Sequence, residues 1–213
     1  MNKPPAEIKD QPAGGKTASF YFIRLGSTIP IVFFITTFIC GLILGNYNHL
    51  SRLVSELGAL RTKSQHVFST GLLLCSALSV LFVIGLYGKC RATGISIMPV
   101  ILLLSYSISI AGAGIFPLPL RLHLIMGMPS ILLILSPLLS LLLWSKSRKI
   151  SYIKTMSILS LFVMSLGLLA FLPNILSGYP GLKQRFLHVG WSIWLIYLSY
   201  IFTKRFDNME SKG

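Results

Sequence analysis

Six apolar runs, each long enough to cross a bilayer, constrain this chain more than any other feature: about Leu25–Gly45, Val67–Gly88, Ile95–Phe116, Leu122–Trp144, Tyr152–Leu172 and Phe186–Thr203. A helix needs roughly twenty apolar residues for that crossing, and every backbone N–H and C=O inside the hydrocarbon must be satisfied within the segment. Each run therefore predicts a membrane helix. The connections are short except Asn46–His66 and, more modestly, Pro173–Arg185. Short connections place neighbouring spans side by side, so the predicted fold is all-α, a polytopic membrane protein with six transmembrane helices in one antiparallel bundle.

Composition supports that class. Hydrophobic residues make up 54% of the chain, charged residues only 11%, and mean hydropathy is +0.76, whereas a soluble domain carries roughly 25% charged residues. The formal charge of +14 is spread between apolar runs and is not gathered on a polar module with interleaved aromatics. Nucleic acid is therefore excluded as a partner, and the lipid bilayer with its anionic headgroups is the expected counter-charge. Residues 1–19, rich in Pro, Gly and Lys, read as a mobile tail, residues 20–204 as the six-helix domain and 205–213 as a second tail. Cys40, Cys75 and Cys90 show no paired spacing and read as packing residues. Oligomeric state leaves no mark on the sequence.

Thirteen of the nineteen Lys and Arg residues fall on the side of the N-terminus, six on the other. The positive-inside rule then puts both termini in the cytoplasm of a cell with a bacterial-type inner membrane. On that topology His49, His66, His123, His188 and Glu56 all lie on the extracytoplasmic side.

Glu56 is the only acidic residue between Asp10 and Asp207. Its segment, "NYNHLSRLVSELGAL", carries too many charges to be a span. On a helix, Leu50, Leu53, Val54, Leu57 and Leu60 share one arc, and His49, Arg52 and Glu56 share the opposite one, which predicts an amphipathic interfacial or re-entrant helix. Arg52 and Glu56, four apart, can pair there. The bland reading is a solvated polar face; the functional one is a carboxylate turned over the bundle mouth.

Two further stretches offer side chains. In "AGAGIFPLPLRLH" the small residues Ala111–Gly114 admit close helix approach, Pro117 and Pro119 end the third span, and Arg121 and His123 open the fourth. In "YPGLKQRFLHVGWSIW", Gln184, Arg185 and His188 lie within about one helical turn, and Tyr179, Trp191 and Trp194 read as an aromatic belt at the membrane surface. Pro129 and Pro137 are expected to bend the fourth span. Four histidines at one level invite a zinc site, but no HExxH-type spacing exists and the nearby arginines oppose a divalent cation, so no metal and no other cofactor is expected.

The stretches "YNHLSRLVSELGA", "GAGIFPLP" with a following histidine, and "GLKQR" before a Trp-containing last span resemble the membrane family catalogued as domain of unknown function 998. The resemblance covers about Phe20–Lys204 and implies a six-helix membrane protein with no established activity. Ser55, Glu56, Phe116, Pro117, His123 and Arg185 match the family pattern. Leu118 and Pro119 stand where members often carry an acid, so part of a proton- or metal-handling site is expected to be missing here.

The sequence thus leads to a ligand-binding mouth of Arg52, Glu56, Arg121, His123 and Arg185 that takes an anionic lipid headgroup or a lipid-linked molecule. The alternatives are an intramembrane hydrolase or transferase using Glu56 and His123, and a small transporter.

Overall fold

The computed structural model of the protein describes residues 13–147 and 150–210, with side chains described for 18–147 and 150–204. Nine α-helices occur among the described residues: α1 Ala13–Leu44, α2 Gln65–Thr93, α3 Met98–Ile101, α4 Leu104–Ile115, α5 Arg121–Gly127, α6 Pro129–Leu132, α7 Leu135–Trp144, α8 Ile153–Gly167 and α9 Pro180–Glu210. Together they build six membrane-spanning segments: Ala18–Leu44, Gln65–Thr93, Met98–Ile115, Arg121–Trp144, Ile153–Phe171 and Pro180–Lys204. The predicted tails are shorter than the composition suggested. A helix set by an apolar run extends outward at one hydrogen bond per residue, and α1 already begins at Ala13 while α9 runs on to Glu210. Residues 1–12 and 211–213 of those tails lie outside the described residues.

The third and fourth spans are not continuous. Leu102–Leu103 separates α3 from α4, and the fourth span is divided before Pro129 and again at Leu133–Ile134. Pro129 has no N–H to donate and occupies the first position of α6, where a helix tolerates it.

Packing follows chain order around a ring. α1 meets α2, α2 meets α4, α4 meets α5 and α6, α3 meets α7, α7 meets α8, α8 meets α9, and α9 returns to α1. In lipid no hydrophobic force draws helices together, so close packing and interhelical hydrogen bonds hold such a ring, at about 0.6 kcal/mol per bond. Ser107 donates to Ser79 at 2.8 Å, Trp194 to Ser136 at 2.9 Å, and Ser136 to the Pro99 carbonyl at 2.7 Å. Gly190 lets α9 approach α8, since a Cβ there would stand 2.6 Å from the Met164 backbone nitrogen.

Trp191 and Trp194 correct the aromatic-belt expectation. They are 2% and 0% exposed and lie in the interior with Phe33 and Tyr106; only Tyr179 is surface-exposed. α9, contacting both neighbours that close the ring, must bury the large side chains that a peripheral span would offer to the headgroup level. All three cysteines are buried.

The connections after the first, third and fifth spans meet at one end. The Leu60 N–H donates to the Leu118 carbonyl and the Leu182 N–H to the Leu50 carbonyl, both at 2.8 Å. The segment between α1 and α2 is thereby fastened across the mouth of the ring.

Candidate functional site

That fastening is where the lone carboxylate sits. The amphipathic helix expected over Asn46–Leu60 is realised as turns around a single 3-10 turn, Val54–Gly58. Val54 and Leu57 are buried as the periodicity required, but Leu50 and Leu60 are exposed. The cause is competition: side chains take the backbone groups that an α-helix would have paired internally. The Tyr47 hydroxyl donates to the Leu53 carbonyl at 2.7 Å and lies 3.1 Å from that of Arg52. Gln184 accepts from the Val54 N–H at 2.7 Å.

Glu56 holds the turn at its own start. Oε1 accepts from the Leu53 N–H at 2.9 Å, and Oε2 from Arg52 Nε at 2.8 Å. Reaching back from the third position to the cap N–H is the acidic half of a capping box. The ion pair is half-exposed, 39% at Arg52 and 31% at Glu56, so its own worth is about 0–1 kcal/mol.

Arg185 is the centre of the clasp. Nη1 donates to the carbonyls of Arg52 at 3.2 Å and Gly181 at 3.1 Å; Nη2 donates to the Tyr47 hydroxyl at 3.2 Å and to His49 Nδ1 at 2.9 Å. A guanidinium only donates, so His49 must keep Nδ1 unprotonated. Burial, and then the Arg185 charge, hold the His49 imidazole below its ordinary value. Burial likewise pushes the Tyr47 phenol up, against the opposing hydrogen bond from Arg185. The "GLKQR" motif becomes legible residue by residue. A Cβ on Gly181 would collide with the Arg52 carbonyl oxygen. Lys183 donates to the carbonyls of Leu172 and Ile175, both at 3.0 Å, satisfying the end of the fifth span. Gln184 and Arg185 hold the segment above.

Beneath the clasp lies a cavity of about 150 Å³, lined mainly by apolar side chains with Tyr106, His123, Gln184 and His188 among them. His123 Nδ1 lies 2.8 Å from the Phe116 carbonyl, which fixes the proton on Nδ1 and leaves Nε2 an acceptor. His188 has the opposite tautomer. Trp191 Nε1 donates to His188 Nδ1 at 3.2 Å, so the neutral ring carries its proton on Nε2. That Nε2 and the Tyr106 hydroxyl are buried and have no hydrogen-bond partner among the described residues.

Of the residues predicted to form the mouth, the structure joins Arg52, Glu56 and Arg185 in the clasp. His123 lies apart, lining the cavity, and Arg121 is exposed and takes no part in the hydrogen-bonded network. Of the remaining histidines, His66 is exposed, and no three His, Cys, Asp or Glu among the described residues are grouped to hold a metal. Ala111–Gly114 behaves as its small residues suggested: a Cβ on Gly112 would run into Met126 of α5, and one on Gly114 would stand 3.1 Å from the Ser69 carbonyl of α2. Sequence reasoning missed Tyr106, whose neighbours in the third span carry no charge to flag it. It gave no role to Tyr47, which belongs to the resembling stretch and whose hydroxyl organises the clasp.

Fold and site together define a polytopic α-helical membrane protein with a clasped, cavity-bearing end. The family model described as Protein of unknown function (DUF998) matches residues 28–200, and the chain belongs to that family. No curated protein and no solved structure matches the chain.

Proposed function

We propose that this membrane protein binds an amphiphilic lipid at the clasped end, with an anionic headgroup at the basic rim of Arg52, Arg121 and Arg185 and the adjoining apolar part in the cavity below. One observation carries the reading: the first three turns of α9 serve both places. Gln184 and His188 line the cavity while Arg185, between them, holds the rim. Among the described residues Arg185 contacts no carboxylate, so its charge has no ion-pair partner there and favours an anion nearby. Glu56 orients Arg52. The proposed location is the inner membrane with the mouth outward and both termini cytoplasmic, supported by the thirteen-to-six imbalance of basic residues.

Native mass spectrometry of the purified full chain tests the headgroup assignment. Arg121 is the clean probe, since its side chain supports nothing else. Arg121→Ala is expected to shift retained lipid from phosphatidylglycerol towards phosphatidylcholine; an unchanged set sinks the assignment. Reporters fused after Leu60 and after Lys146 test sidedness, and a cytoplasmic Leu60 fusion would reverse it.

A second reading, an intramembrane hydrolase or transferase, draws on the fixed tautomer of His123, whose free Nε2 suits a general base. Glu56, engaged by Arg52 and Leu53, is the weaker candidate partner. Release of fatty acid from a labelled lipid ester, abolished in His123→Ala, would support it; release no greater than in a protein-free blank would remove it.

A further inference from the structure

We propose that the cavity recognises an uncharged acceptor oxygen, a carbonyl on an otherwise apolar molecule, through the Tyr106 hydroxyl and His188 Nε2–H. The inference deepens the amphiphile reading by naming what the cavity, as distinct from the rim, binds. Three observations carry it. First, Tyr106 is 2% and His188 9% exposed, and the Tyr106 hydroxyl and His188 Nε2 have no partner among the described residues. An unmade buried hydrogen bond costs about 1–3 kcal/mol, so two of them on residues that line one cavity point to an occupant that completes them.

Second, both groups offer protons. The Trp191 indole occupies His188 Nδ1, so the remaining nitrogen is a donor, and the Tyr106 hydroxyl donates as readily. A ligand that satisfies them must supply lone pairs. Third, the walls are apolar and aromatic: the His188 ring lies 4.7 Å from Phe33, and Tyr106 4.6 Å from Trp191, between centroids. Among the described residues no Lys or Arg lines the cavity, so a charged oxygen there would stay desolvated without a counter-ion, while a neutral carbonyl suffers no such penalty. A space of this size takes a benzene-sized body. Two sources of that chemistry fit, the ester linkage at the top of an acyl chain and a quinone ring.

The test uses the full chain in detergent with defined probes: dioleoyl phosphatidylglycerol, its diether analogue, dioleoyl phosphatidylcholine and a decyl-substituted benzoquinone. Binding is read by native mass spectrometry and by quenching of tryptophan fluorescence. If acyl esters are the source, the diester binds about three- to tenfold more tightly than the diether, the worth of one or two hydrogen bonds, and Tyr106→Phe abolishes the difference. If quinone is the source, the quinone binds, Tyr106→Phe weakens it by a similar factor, and linkage has no effect. Tyr106→Phe removes an unpaired hydroxyl without changing shape, so the ligand-free variant is expected to melt no lower than wild type.

Gly127→Val supplies an independent check. Gly127 lines the cavity, and a Cβ there meets nothing within 4 Å, so valine occupies open space and is expected to weaken whichever probe binds. Equal binding of diester and diether with no binding of quinone overturns the proposal and leaves the cavity to water. So does binding that neither variant alters. A preference for phosphatidylglycerol over phosphatidylcholine reports on the rim alone, so either reading can fail without the other.

Discussion

The clasp and the cavity share the first turns of α9 yet are built on opposite principles. In the clasp nearly every polar atom has found a partner inside the protein: Glu56 with Leu53 and Arg52, Arg185 with four acceptors, Gln184 with Val54. In the cavity, a few residues away, Tyr106 and His188 end in atoms with none. The conspicuous charges are spent on holding the chain, and the quiet neutral groups are left open. A charge that stands out in an apolar sequence therefore has structural work of its own, because a polar segment lying across a membrane bundle needs such groups to be fastened there.

Breaking the clasp at its centre is expected to have the largest effect. Arg185→Ala removes four hydrogen bonds at once, those to the Arg52 and Gly181 carbonyls, Tyr47 and His49, and should lower stability by about 2–4 kcal/mol, read as a lower melting temperature in detergent. A drop no larger than that of a surface arginine such as Arg61→Ala would show the network to be dispensable. Gly181→Ala comes next, at about 1–3 kcal/mol, because the added Cβ pushes the Arg52 carbonyl off α9. Its signature is local, with faster hydrogen exchange at the Val54 and Leu182 amides than elsewhere.

Glu56 separates charge from capping. Glu56→Ala removes both and should cost about 1 kcal/mol. Glu56→Gln keeps an acceptor for the Leu53 N–H and loses only the half-exposed pair, within about 0.5 kcal/mol. Equal losses would mean that the carboxylate charge matters more than its hydrogen bond to the turn.

The smallest effect is that of pH. His49 is held below its ordinary value of 6.5, so in the folded state it resists the proton that the unfolded chain accepts. The stability it contributes is complete above that value and erodes as pH falls below it, until the folded ring is itself protonated and Arg185 loses an acceptor. The decline between neutral pH and pH 5 should be shallower in His49→Gln. A profile identical to wild type removes His49 from the clasp.

The spans were legible because length and hydropathy alone decide whether a segment can cross a membrane, and all six span starts fall within about seven residues of those expected. The sixth starts earlier for the same reason, six residues before Phe186, as its first turn is satisfied by the segment above. The Arg52–Glu56 pair was also legible, since four residues apart brings side chains together in a helix and here across the start of a 3-10 turn. What spacing could not supply was contact at long range. Arg185 meets Arg52 across 133 positions, and Gly181 reads as a turn glycine until its neighbour is known. Hydrophobic periodicity alone predicted an α-helix over Asn46–Leu60, and it failed because Tyr47, Glu56 and Gln184 offer the backbone competing partners. Tyr106 was hidden by its surroundings: in an apolar run a tyrosine looks like core, and only the absence of a partner for its hydroxyl distinguishes it.

Stability and ligand retention measured together on Glu56→Gln and Tyr106→Phe test the division most directly. The account predicts that Glu56→Gln melts slightly below wild type and keeps its affinity for acyl ester or quinone, whereas Tyr106→Phe melts at or above wild type when ligand-free and binds that probe about three- to tenfold more weakly. Ligand stripped from Glu56→Gln at wild-type stability, with Tyr106→Phe unaffected, would make the lone carboxylate the working group and the cavity a structural void.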